Sequence, residues 1–89
     1  MSDKALKEIY DLRARIDEID RGIVERLNDR AKLSLDIREI KEENSIQLYD
    51  PGREEAIFQN VTTQNDGPLY DDDLRGVFEA ILRAMKSLD

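Results

Sequence analysis

Apolar residues recur every three or four positions from the start of this chain: Ile9, Leu12, Ile16, Ile19, Ile23, Leu27 and Ala31. That is the period of an α-helix, and it predicts one long helix over about residues 4–44. No proline interrupts the stretch, and Gly22 is its one weak point, costing ~1 kcal/mol relative to alanine. Asn44 and Ser45 end it, and Ile46 to Tyr49 form a short connector. Asp50-Pro51 is a helix start signal, with aspartate as N-cap and proline at the first helical position. A short helix follows over about residues 51–64, with Ile57 and Val61 turned inward. Asn65-Asp66-Gly67-Pro68 is a turn, and a medium helix begins near Asp71 and runs to about Leu88. Its apolar face is Leu74, Val77, Phe78, Ile81, Leu82, Met85 and Leu88. There is no strand pattern, repeat or low-complexity segment, so the prediction is one all-α domain over residues 1–89.

The length of the first helix constrains the rest. Forty residues of helix span ~60 Å, which exceeds the diameter of a 10.3 kDa globule. The residues that remain are too few to cover such a stripe, so a second copy of the chain is expected against it, as an obligate homodimer. A chain of 89 residues is marginal alone, burying only about 60% of its unfolded surface.

The stripe also carries charge. Arg30 and Lys41 are eleven residues apart and point within roughly 20° of each other on a helix, on the face of Ile9, Ile16, Ile23, Leu27 and Ser34. Burying an unpaired cation is costly, so an anion is expected there, either a structural carboxylate or a ligand. Arg13 lies at the edge of the stripe, about 25 Å along the helix from Arg30. No small ligand can touch Arg13 and Lys41 of one chain, but in an antiparallel dimer the partner's Arg13 would come alongside. Bland readings stand beside these. Arg30 and Lys41 can extend to solvent or pair with glutamates. Arg26 and Arg38 also project near the stripe's edge. Asp50 can be a plain N-cap, Arg53 and Glu54 a solvated first turn, and Ser34 a small residue at a helix contact. Asp20 is expected to pair with a neighbouring arginine rather than to act catalytically.

Charge and composition narrow the chemistry. The net charge is −7, with 21 acidic against 14 basic residues, which argues against a nucleic-acid partner. Any anion must be bound by local arrangement, because the overall field repels it. The chain has no cysteine and no histidine, so disulfides, zinc sites and serine-type triads are not expected, nor is any metal or cofactor. No apolar run approaches ~18 residues, so no membrane span is expected. Met-Ser-Asp-Lys at the start has no signal-peptide hydrophobic region, and a cytoplasmic protein is the expectation.

Taken in order, these residues resemble the all-helical class of chorismate mutases over nearly the whole chain. The matching pieces are Leu12-Arg13, Ile19-Asp20, Leu27-Asn28-Asp29-Arg30, Lys41 and Asp50-Pro51-Gly52-Arg53-Glu54. The Gly67-Pro68-Leu69 turn and Phe78 are similar too. The resemblance implies two chains intertwined as an all-helical homodimer with two sites. Each site would draw Arg30, Lys41, Asp50, Arg53 and Glu54 from one chain and Arg13 from the other. Arg13 and Arg30 would hold the two carboxylates of chorismate. Lys41 would donate to its ether oxygen and, with Arg53, position the carboxylates and hydroxyl. Glu54, with the backbone at Asp50, would bind the ring hydroxyl.

Two positions depart from that pattern. Met85 stands where the family usually has serine, and Asp89 where it usually has a glutamine or glutamate that donates to the ether oxygen. Aspartate is one methylene shorter and donates only when protonated. Such domains often precede a prephenate dehydratase or accompany an aromatic-pathway synthase, so a fused or partner enzyme is also expected. Two alternative functions stay open: an isochorismate pyruvate lyase on the same scaffold, and a non-catalytic regulatory or dimerisation module, favoured by Met85 and Asp89. A bare coiled coil would leave Asp50 to Glu54 unexplained and lacks a sustained heptad.

Overall fold

In a computed structural model, described over residues 2–89, the chain forms three α-helices. They are α1 (Asp3–Glu43), α2 (Pro51–Gln64) and α3 (Asp71–Lys86), with 41, 14 and 16 residues. The chain divides between Arg30 and Ala31 into two units, and α1 contributes to both. No helix is long and apolar enough to cross a membrane among the described residues.

The ends of α1 follow from local chemistry. The Ser2 hydroxyl accepts from the Ala5 N–H at 3.2 Å, satisfying one of the donors a helix start leaves free. At the other end Ser45 takes a left-handed conformation, with φ of 55°. The Ile46 N–H then donates to the Lys41 carbonyl at 2.8 Å, and the Ser45 N–H to the Glu42 carbonyl at 3.4 Å. These paired bonds form a Schellman cap, which usually places glycine where Ser45 stands. Lys41 lies in the last turn, where the helix dipole favours positive charge.

No residue of α1 is buried. Ile16, Ile19 and Ile23 of this predicted stripe keep exposures of 55%, 63% and 51% among the described residues. In the second half of α1 the half-buried residues are Leu27, Arg30, Ala31, Ser34, Leu35, Arg38 and Lys41, again at three-and-four spacing.

Helices α2 and α3 pack as a hairpin. An ion pair between Glu54, in the first turn of α2, and Lys86, in the last turn of α3, shows that they run antiparallel. Ile57, Phe58 and Leu82 form the buried core, with Val61 and Phe78 packed against it. The Arg75 guanidinium lies 4.3 Å from the centre of the Phe58 ring, a cation–π contact. Arg75 also reaches Glu55 at 3.4 Å and Glu79 at 3.6 Å. Between the helices the Asn65 side chain accepts from the Gly67 N–H at 3.2 Å and donates to the Leu69 carbonyl at 2.9 Å. Gly67 has φ of 75°, which L side chains rarely adopt.

The structure corrects three expectations. Helix α3 stops at Lys86 rather than near Leu88, because its last turn tightens into bonds from Ser87 to Ala84 and from Leu88 to Met85. Phe58, beside Ile57, joins the core. Val77, expected inward, keeps 51% exposure.

Ser45 gives a direct stability prediction. Relieving the left-handed cost stabilises the fold, while the freer unfolded chain offsets part of the gain. Ser45→Gly is expected to raise unfolding free energy by up to about 1 kcal/mol, read as a higher urea midpoint at fixed chain concentration. Ser45→Val should lower the midpoint.

Candidate active site

Asp50 adopts an extended conformation, with φ of −136° and ψ of 90°, and its Oδ1 accepts from the Arg53 N–H at 3.1 Å. Pro51 fills the first helical position, where its missing N–H costs nothing. The cap therefore fixes the turn from which Arg53 and Glu54 project. Its N-cap role is structural, and it stands beside any contribution of the Asp50 backbone to binding.

Contacts within residues 31–89 gather most of the expected site at one end of the α2–α3 hairpin. The Lys41 ammonium donates to the Leu48 carbonyl at 3.4 Å, linking the end of α1 to the connector two residues before Asp50. The Glu54–Lys86 pair links the start of α2 to the end of α3. The Arg38 guanidinium donates to the Leu88 carbonyl at 2.8 Å and the Met85 carbonyl at 3.5 Å. The pieces carrying Lys41, Asp50, Arg53, Glu54, Met85 and Asp89 are thus tied together. Lys41, Glu54 and Met85 are half-buried, whereas Asp50, Arg53 and Asp89 are exposed. Arg13 and Arg30 lie earlier on α1, where Arg13 is exposed and Arg30 half-buried.

The cations have no carboxylate partners. Among the described residues, Arg13, Arg30, Lys41 and Arg53 make no ion pair; the three present involve Arg75 and Lys86. Among the described residues, neither Arg30 nor Lys41 pairs with a glutamate. Asp20 likewise has no arginine partner among the described residues, contrary to expectation. On a helix only residues three or four positions away lie beside it, and those are Ile16, Asp17, Ile23 and Val24, none of them basic. Glu54 gives Oε1 to Lys86, which leaves Oε2 able to accept another hydrogen bond.

Two features escaped the sequence reading. Arg38 had been placed only at the stripe's edge, and its tie to the end of α3 spans too much sequence for periodicity to reveal. Lys86, as partner of Glu54, left no local signal for the same reason. A shallow depression between α2 and α3 is lined by Glu54, Phe58, Glu79, Leu82, Arg83 and Lys86. Its mixed charge does not suit a dianion, and of the expected site residues only Glu54 borders it.

Comparison with known proteins bears on the same elements. The profile of the family described as chorismate mutase type II matches residues 12–89. The bifunctional chorismate mutase/prephenate dehydratase of Aquifex aeolicus is 34% identical over 94% of this chain and 24% of its own length. The corresponding bifunctional protein of Pseudomonas aeruginosa is 28% identical over 88% of this chain and 23% of its own length. The chain thus spans about a quarter of the length of these relatives. A chorismate mutase structure (form II) from Thermus thermophilus superposes with a TM-score of 0.88 at 33% identity, covering 91% of this chain and 92% of that one. With a family match that runs from Leu12 to the last residue and a superposition that takes in nearly all of both chains, this chain belongs to the chorismate mutase type II family.

Proposed function

We propose that this chain converts chorismate to prephenate, as a homodimer in which each site takes Arg13 from the neighbouring subunit. The observation that carries the proposal is Lys41, half-buried and without an ion pair among the described residues, bonded to the connector that leads into the Asp50–Glu54 turn; Arg30 is likewise half-buried and without an ion pair there. An anionic guest is the natural complement of such groups. The exposed stripe of Ile16, Ile19 and Ile23 supports the second subunit.

The reaction asks for what this inventory can supply. It is a unimolecular rearrangement in which one carbon–oxygen bond breaks as one carbon–carbon bond forms. No proton moves in that step and no nucleophile is needed. The flexible dianion must be folded into a chair-like geometry, which is an entropic cost that fixed partners can bear in advance. Negative charge grows on the ether oxygen, and a fixed cation there stabilises the transition state more than the ground state. Arg30 and the partner subunit's Arg13 would clamp the carboxylates, since guanidinium forks match carboxylate geometry. Lys41 is a compact donor for the single ether oxygen, with Arg53 beside it. Glu54, already oriented by Lys86, offers its free oxygen to the ring hydroxyl, alongside the backbone at Asp50.

Purified chain is expected to remove the absorbance of chorismate and to yield prephenate. Pyruvate formed from isochorismate instead would identify a lyase, and no turnover of either would identify a binding module. Lys41→Ala should lower kcat by roughly 10²–10³ while the dimer persists in sedimentation. Near-full rate in that variant would remove Lys41 from the ether oxygen.

Asp89 gives a separate prediction. A carboxyl group donates to the ether oxygen only when protonated, so a contribution from Asp89 makes the rate rise as pH falls. A rate that stays flat between about pH 8 and pH 5 would take Asp89 out of the mechanism. Asp89→Asn, a donor at every pH, should flatten the profile.

A further inference from the structure

The Arg38 guanidinium reaches from α1 to two backbone carbonyls at the end of α3, Leu88 at 2.8 Å and Met85 at 3.5 Å. Carbonyls in a last helical turn have no intrahelical partners and face the negative end of the helix dipole, so a cation is favoured there. The planar fork of arginine can serve two acceptors together, which a lysine ammonium does less well. Without this contact the last residues rest on local bonds alone, Ser87 N–H and hydroxyl to the Ala84 carbonyl at 3.2 and 2.8 Å and Leu88 N–H to the Met85 carbonyl at 3.3 Å, and none of these holds the Leu88 carbonyl. Chain ends held only in this way fray.

Two adjacencies give the contact its meaning. Arg38 and Lys41 are three residues apart in α1 and both half-buried, so they occupy neighbouring turns of one face. The Leu88 carbonyl belongs to the peptide unit whose nitrogen is that of Asp89. Holding that carbonyl therefore holds the plane from which Asp89 departs, on the helix face that bears Lys41. We infer that Arg38 is a positioning residue, which locks the Met85–Asp89 end of α3 onto the Lys41 face of α1 and so sets the distance across the ether-oxygen site. It touches no substrate. Its effect on rate rests on the mutase reading above; the anchoring itself does not.

The test uses the intact chain with Arg38→Met, which keeps the apolar stem, and Arg38→Lys, which keeps the charge. In 15N relaxation, the Asp89 amide, which shares the peptide plane of the anchored Leu88 carbonyl, should show an order parameter that falls to below about 0.6 in Arg38→Met, with amides in the middle of α2 unchanged. The kcat should fall roughly tenfold while KM stays within about threefold, the pattern of misplaced rather than missing groups. Arg38→Lys should recover part of both. In an Asp89→Ala background, Arg38→Met should cost little further rate, because both changes then act through one group. An Asp89 amide as ordered as in the parent chain, or a rate penalty equal with and without Asp89, overturns the inference. If the parent chain leaves chorismate unconverted, the mutase reading falls, and the Asp89 amide relaxation alone decides the anchor.

Discussion

A helix of 41 residues presents more apolar surface than the remainder of an 89-residue chain can cover, and the other features follow from that constraint. The hairpin of α2 and α3 has a core of only Ile57, Phe58 and Leu82, with Val61 and Phe78 beside it. Such a core is small for independent stability. The isoleucines of α1 supply the missing apolar area, provided that another surface with the same need meets them. A second copy of the chain has that need, and a two-fold arrangement satisfies both at once. In the account proposed here, fold stability and site assembly are therefore the same event.

The placement of charge has a parallel logic. An excess of acid gives the protein a field that opposes anion binding at long range. Cations brought together at a subunit interface, as proposed, would act at short range, where less water and weaker screening strengthen each charge. A pericyclic reaction of a dianion needs fixed positive charge and shape, and it needs neither histidine nor cysteine. A composition without histidine or cysteine, in which serine-type triads and zinc sites are not expected, suits this chemistry.

Local rules made much of the fold legible. Periodicity gave α1 and α3, the Asp50-Pro51 pair marked the start of α2, and Asn65 and Gly67 marked the turn, since each depends on residues within one or two turns. Helix ends were less legible, because α3 stops where its final carbonyls find partners outside its own sequence. The buried Phe58 was missed because Ile57 and Val61 already filled the inward register, and its ring is held by Arg75 from another helix. The site divides in the same way. Arg13, Arg30, Lys41, Asp50, Arg53 and Glu54 are expected at the site from spacing and resemblance. The links from Glu54 to Lys86 and from Arg38 to Leu88 join residues far apart in the chain, and no local pattern encodes them.

The central claim, that each site is shared between subunits, is tested most directly by mixing two inactive variants. Arg13→Ala and Lys41→Ala chains should each be nearly inert, and unfolding and refolding them together in equal amounts should restore about a quarter of the parent activity. That fraction arises because half of the dimers are mixed and each mixed dimer holds one intact site. Activity that stays at the level of the separate variants, with mixed dimers demonstrably formed, would contradict the shared site and the account built on it.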